Sequence, residues 1–82
     1  MIIVYKISDL SIVSISGFRG KTTDELKKSL VVEINKDEST LLILDDDLIS
    51  KVWEMQDYNI QIALINDSGE IKLDESKLKK PN

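Results

Sequence analysis

The chain has 82 residues, of which 41% are hydrophobic and 32% are charged, and its net charge is −4. This length predicts one small domain, whose core would gain stability from a permanent partner. Cys and His are both absent, which excludes disulfides, thiol catalysis, the usual zinc sites and histidine-based acid–base catalysis, and the acidic balance is not typical of a general nucleic-acid binder.

The first part of the chain predicts two strands. Residues 2–7, IIVYKI, form an almost continuous apolar run rich in β-branched side chains, which is typical of a buried strand. Residues 10–16, LSIVSIS, roughly alternate between apolar side chains and serines, as a half-buried strand does. Gly17 then marks the end of the second strand.

A helix is predicted over residues 23–35. Thr22 and Glu25 have the spacing of a capping box, in which each side chain bonds a free amide of the first turn. The β-branched pair at 31–32 is the weakest part of this prediction, because such side chains are stiff in helices. An apolar stripe with a spacing of four residues supports the helix: Leu26, Leu30 and Ile34.

The second half of the chain predicts a strand, a helix and another strand. Residues 40–44, TLLIL, are apolar on both faces, as in the middle of a parallel sheet. The aspartates at 45–47 suit the N-terminus of a helix over 46–57, where a carboxylate caps free amides and faces the positive end of the dipole. Residues 58–65, YNIQIALI, then return to a strand pattern.

The chain ends with a predicted turn at 66–70, in which Gly69 can take a positive φ, and a short edge strand at 71–73. Strands that alternate with helices of this length are typical of βαβ crossovers. We therefore predict an α/β fold, a small three-layer sandwich with a mainly parallel, Rossmann-like sheet. It would form a single domain over 1–73, followed by a polar tail over 74–82.

Residues 15–28, ISGFRGKTTDELKK, look like a phosphate-binding loop that enters a helix. A Walker loop needs Gly five residues before Gly20, but Ile15 occupies that position and Gly17 comes two residues too late. Asp45 could hold Mg²⁺ in an NTPase or carry a phosphoryl group in a receiver domain, yet the last strand lacks the Lys of a receiver. Turn formation and helix capping explain the same residues, so we predict no catalytic residue, no cofactor and no metal ion.

The stretch from 20 to 66 resembles the small shaft subunit known as F in the V-type (vacuolar and archaeal) rotary ATPases. The segments that carry the resemblance are GKTTDEL at 20–26, TLLILDDDLISKV at 40–52 and YNIQIALIND at 58–67, with IIVYKISD at 2–9 as the family's first strand. Family members carry a helix between the first two strands, where only residues 8–11 stand here. That helix is either deleted, or represented by GFRG at 17–20 with the second strand lost. The C-terminal helix is also shorter.

The resemblance implies a non-catalytic rotor component in the central shaft of a proton-translocating ATPase, where it couples ATP hydrolysis to rotation. It implies binding to the coiled-coil shaft subunit, known as D, with no nucleic acid as partner. It also implies a place in the cytoplasm, peripheral to the cytosolic face of a membrane. No apolar run approaches the roughly 20 residues of a membrane helix, so we expect no direct insertion.

We predict that a protein partner contacts the glycine-rich turn and the C-terminal segment. Phe18, beside Arg19 and between two glycines, either anchors an interface or folds back over the sheet edge. An alternative class is a small acidic inhibitor or adaptor of viral or mobile-element origin, whose carboxylates at 37–38 and 45–47 would engage a basic groove. The predicted partner-binding residues are Phe18, Arg19, Lys21, Leu73 and Leu78.

Overall fold

The computed structural model describes residues 1–19 and 23–79, apart from the side chain of Lys27. Five strands, two α-helices and one 3₁₀ turn follow one another along these residues. In chain order they are β1 (Ile2–Lys6), β2 (Ile12–Ser16), α1 (Asp24–Lys28), β3 (Glu38–Leu42), α2 (Asp46–Asp57), β4 (Leu64–Asp67), β5 (Glu70–Leu73) and a 3₁₀ turn (Glu75–Lys77).

The strands form two antiparallel sheets, a three-stranded one in the order β2-β1-β3 and a hairpin of β4 and β5. The predicted mainly parallel, three-layer sandwich is therefore wrong. The five residues 7–11 that join β1 to β2 are too few for a parallel crossover, which needs a dozen or more. Apolar periodicity shows that a strand is buried but does not show its direction, and this is why the prediction failed.

β1 is the central strand of its sheet and is buried on both faces. Ile3 and Tyr5 belong to the main core, while alternation places Ile2 and Val4 on the opposite face, where they are also buried. Just before the strand, Met1 is buried and exchanges two hydrogen bonds with Ile43. The amino group of Met1 donates to the Ile43 carbonyl at 2.9 Å, and the Ile43 amide donates to the Met1 carbonyl at 2.8 Å.

A β-bulge at Val13 sets the register of β2. Tyr5 lies opposite Ile12, and the next residue back, Val4, lies opposite Ser14, so Val13 is an extra residue in β2. The bulge puts Ile12 and Ile15 on the same face, where both pack against the core although their spacing of three would place them on opposite faces of a regular strand. Val13 itself is left 47% exposed.

α2 covers the core face of the sheet, and its predicted range of 46–57 is confirmed. The predicted cap is also confirmed, since Asp45 Oδ1 accepts hydrogen bonds from the amides of Asp47 and Leu48 at 2.9 and 3.1 Å. The buried face of the helix follows the helical period and consists of Ile49, Val52 and Met55.

The C-terminus of α2 is closed by a Schellman motif. Asn59 has a φ of 56°, its amide donates to the Gln56 carbonyl, and the Ile60 amide donates to the Met55 carbonyl at 2.8 Å. Ile60 packs against the core, as the residue after such a motif often does. The motif turns the chain away from the helix, so β4 spans Leu64–Asp67 instead of beginning near 58 as predicted.

The predicted helix over 23–35 is wrong in length, because α1 ends at Lys28 and residues 30–35 have no regular structure. The β-branched Val31 and Val32 lie where the helix fails to continue. Thr23 is the N-cap, and its Oγ1 accepts from the Leu26 amide at 3.3 Å. The capping box predicted at Thr22 falls outside the described residues.

β3 also differs from its predicted range of 40–44, since it spans Glu38–Leu42. The apolar run at 41–44 suggested burial on both faces, but Leu42 and Leu44 are exposed by 53% and 48%. Ile43, between them, is buried and bonded to Met1.

The β4–β5 hairpin closes through a two-residue turn. Ser68 and Gly69 have φ values of 53° and 90°, which fit a type I′ turn, the form that matches the twist of a hairpin. Asn66 Oδ1 accepts from the Gly69 amide at 2.9 Å. At the other end of the hairpin, Leu64 and Leu73 lie opposite each other and are buried in the core.

Candidate functional site: two grooves and an aromatic junction

The junction between α2 and the loop after β2 is built around Trp53. The indole Nε1 of Trp53 donates to the Phe18 carbonyl at 3.1 Å. The guanidinium of Arg19 lies 4.9 Å from the centre of the indole ring, within range of a cation–π contact. Arg19 also forms a salt bridge to Asp57, with Nη2 2.9 Å from Oδ1 and Nη1 3.0 Å from Oδ2. These three contacts attach the loop to the helix.

The salt bridge should change the pKa of the Asp57 carboxyl. The hydrogen bond and the charge of Arg19 lower the pKa of the Asp57 carboxyl. We expect Arg19→Gln to raise that pKa toward its ordinary value, as measured by carboxyl ¹³C NMR. Because the folded pKa is depressed, the stability that the pair contributes is present above the ordinary pKa and is lost as pH falls through the folded one.

Lys72→Gln provides the matched control for this titration. Lys72 Nζ lies 2.7 Å from Asp67 Oδ2 and lowers the pKa of the Asp67 carboxyl, chiefly through a hydrogen bond. The control should raise the pKa of Asp67 and leave that of Asp57 unchanged. An Asp57 pKa that does not respond to Arg19→Gln would show that the pair does not form in solution.

The predicted partner-binding residues do not form one surface. Phe18 is partly buried and Arg19 is held by Trp53 and Asp57. Leu73 is 5% exposed within the core, and Leu78 is partly buried against it. Lys21 falls outside the described residues.

Three acidic side chains have local structural partners, among them two of those singled out in the sequence, Glu38 and Asp45. Asp45 caps α2, Asp9 Oδ1 accepts from the Ser11 amide at 2.9 Å, and Glu38 Oε1 accepts from the Asn35 amide at 2.8 Å. Over residues 1–19 and 23–79, no three acidic side chains come together as they would to hold a metal ion. The Gly20–Thr22 part of the phosphate-loop pattern lies outside the described residues.

A groove runs along the outer edge of β2, and we call it the edge groove. It has a volume of about 610 Å³. One wall is residues 9–15, the other is residues 61–64, and Trp53 and Gln56 of α2 complete it. β2 is hydrogen-bonded to β1 alone among the described strands, so the backbone that faces this groove belongs to an open sheet edge.

A second groove, the leucine groove, lies on the sheet face opposite α2. Its volume is about 390 Å³. Leu42 and Leu44 are about half exposed beside the buried Ile2 and the partly buried Leu30. The remaining lining residues are polar: Asp24, Lys28 and Thr40.

Sequence reasoning missed both grooves. Their walls come from segments that are far apart in the chain, and a parallel sheet would have covered the leucines at 41–44 with helices on both faces. One available signal was the short connection at 7–11, which makes β1 and β2 a hairpin and leaves β2 free to be an edge strand.

Comparisons of the chain with protein-family models, curated proteins and solved structures find no match. Of the helices in the described part of the chain, none is long and apolar enough to cross a membrane.

Proposed function

We propose that this chain is a non-catalytic protein-binding domain that docks a partner protein on its leucine groove. The observation that carries the proposal is the grouping of Leu42 and Leu44, 53% and 48% exposed, over the apolar floor of one depression. Large apolar side chains exposed together on a surface are typical of interaction sites. Because each side chain is already about half buried, burying the rest against a partner would contribute about 1 kcal/mol from each.

The charged residues at the rim of the leucine groove favour a protein as its partner. Asp24 and Lys28 carry opposite charges four residues apart on α1, and both are exposed. An apolar centre within a polar rim is the usual anatomy of a protein–protein interface, in which the rim sets orientation more than affinity.

The sequence resemblance supplies a narrower proposal, that the partner is the coiled-coil shaft subunit of a V-type rotary ATPase. A coiled coil buries its apolar seam between its own helices and presents charged positions beside it, so the charged rim of the groove is the part that suits such a partner. The order of strands and helices that was predicted for a parallel sheet no longer supports this resemblance, because the sheet is antiparallel. What supports it now is the segments at 20–26 and 40–52 and the groove.

Affinity capture with matched variants tests the protein-binding proposal. We expect a protein partner to bind the wild type and Ile7→Asp equally, and to bind Leu42→Asp at least tenfold less. Ile7 is 59% exposed in the β1–β2 turn, away from the groove, so its variant controls for the loss of an exposed aliphatic side chain. Circular dichroism would establish that both variants fold.

Two results would contradict the proposal. One is a partner whose recovery is the same with Leu42→Asp, and the other is the absence of any partner from the native source. The narrower proposal fails separately if the recovered partner is not the coiled-coil shaft subunit.

A further inference from the structure

β2 is an edge strand with little of the usual protection. Natural edge strands avoid unwanted pairing through charged side chains, prolines or bulges. β2 has the sequence IVSIS, with no charged residue and no proline, and its one protective feature is the bulge at Val13. Its β-branched side chains favour strand pairing.

The edge groove lies beside β2, and no other strand of the described residues lies in it. The wall opposite β2, residues 61–63, is outside both sheets, so a chain placed in the groove would lie beside β2 without displacing a strand. Within that wall the Ala63 carbonyl already accepts from the Asp74 amide at 2.9 Å, which holds the wall to the hairpin. Five residues of β2 offer an edge of roughly 17 Å at the usual rise of about 3.4 Å per residue.

The lining residues define the side chains that would fit. Leu10, Ile12 and Ile15 are partly buried, and with Trp53 they make an apolar wall. Asp9 is the one charged residue among those that line the groove, and it stands at the end where β2 begins. Hydrogen bonds from Ser11, and to a smaller extent the charge of Lys6, lower the pKa of the Asp9 carboxyl.

We propose that the outer edge of β2 binds an extended segment of a partner protein by strand addition, and that this segment alternates apolar and small polar residues and ends in Lys or Arg beside Asp9. Open backbone amides and carbonyls call for an extended polypeptide, and the single carboxylate calls for a cation at one end. Antiparallel pairing, the commoner arrangement, puts that cation at the C-terminal end of the segment. This inference goes beyond the leucine-groove function proposed above, because it concerns a second surface of the same domain.

A capped synthetic peptide of eight residues, alternating Thr and Val and ending in Lys, is the probe. We expect its addition to shift the amide NMR signals of residues 12–16 and to slow hydrogen exchange there. The same peptide with Gln in place of Lys should bind about two- to fivefold more weakly, the range of an exposed ion pair. A peptide with a central Pro should not bind, because Pro cannot donate to the ladder.

Two protein variants locate the contact. Asp9→Asn keeps an oxygen for the Ser11 amide but removes the charge, so it should bind the Lys and Gln peptides equally. Val13→Lys should weaken the Lys peptide at least tenfold, while Val13→Thr, of the same shape, should stay within twofold. If Val13→Lys fails to fold, the affinities of the Lys and Gln peptides for the wild type and for Asp9→Asn still test whether the cation of the peptide lies beside Asp9.

Several outcomes would overturn the inference. These are equal binding of the Lys and Gln peptides to the wild type, signal shifts confined to the leucine groove, and self-association of the chain through β2 that excludes the peptide. Leu42→Asp separates the two proposals, because it should abolish capture of the partner at the leucine groove and leave peptide binding at β2 unchanged. Capture that is unchanged in Leu42→Asp contradicts the leucine-groove proposal alone, and a wild type that does not bind the Lys peptide contradicts the strand-addition proposal alone.

Discussion

Ile49→Ala should lower the free energy of unfolding by about 3 kcal/mol, within the range of roughly 2–5 kcal/mol seen for large-to-small changes in cores. Ile49 is 2% exposed and belongs to the buried face of α2, so the substitution removes apolar contacts and leaves a cavity. A small domain has only about 5–15 kcal/mol of stability in total, so this loss is a large fraction. Urea unfolding followed by the fluorescence of Trp53, the one Trp in the chain, would measure it.

The neighbouring Ser50 provides the control for this experiment. Ser50 is exposed on α2, and Ser50→Ala should change the free energy of unfolding by no more than about 0.5 kcal/mol. If the two variants unfold at the same urea concentration, α2 does not pack on the sheet through the face described above.

Gly17→Ala should lower the free energy of unfolding by about 1–3 kcal/mol, as added atoms do in a closely packed site. A Cβ at position 17 would lie 3.0 Å from Met1 Cα and 3.3 Å from Met1 Cβ. Met1 cannot easily retreat, because it is buried and its amino and carbonyl groups are both bonded to Ile43. Gly17→Val should be worse, since it adds two more carbons.

Thermal unfolding of Gly17→Ala, Gly17→Val and Ser16→Ala would check this prediction. Ser16→Ala removes an oxygen beside the same site without adding volume, and we expect a small change. Equal melting temperatures for the wild type and Gly17→Val would show that Met1 does not occupy the position described.

Helix α2 was predictable because its signals are local and agree with one another. Asp45 caps its first amides, its apolar residues follow the helical period, and no Gly or Pro interrupts it. α1 was overestimated because the apolar stripe of Leu26, Leu30 and Ile34 extends past the pair at 31–32, whose stiff β-branched side chains resist the helix.

The sheet direction and the candidate sites were not predictable in the same way, because they depend on contacts between distant residues. Ile2 pairs with Leu42, and Arg19 bonds Asp57, across separations that no local pattern encodes. The edge groove also depends on the bulge at Val13, which a reading of simple alternation in LSIVSIS does not reveal.

The way in which the β4–β5 hairpin is attached to the rest of the domain affects how easily it could be displaced. Among the described residues, no backbone hydrogen bond joins the three-stranded sheet to this hairpin, and the contact between them is made by apolar side chains such as Leu64 and Leu73. Apolar contacts have no fixed direction. A small displacement of the hairpin together with residues 61–63 would therefore break none of the described backbone hydrogen bonds, and its cost would be the disturbed packing of Leu64 and Leu73 in the core.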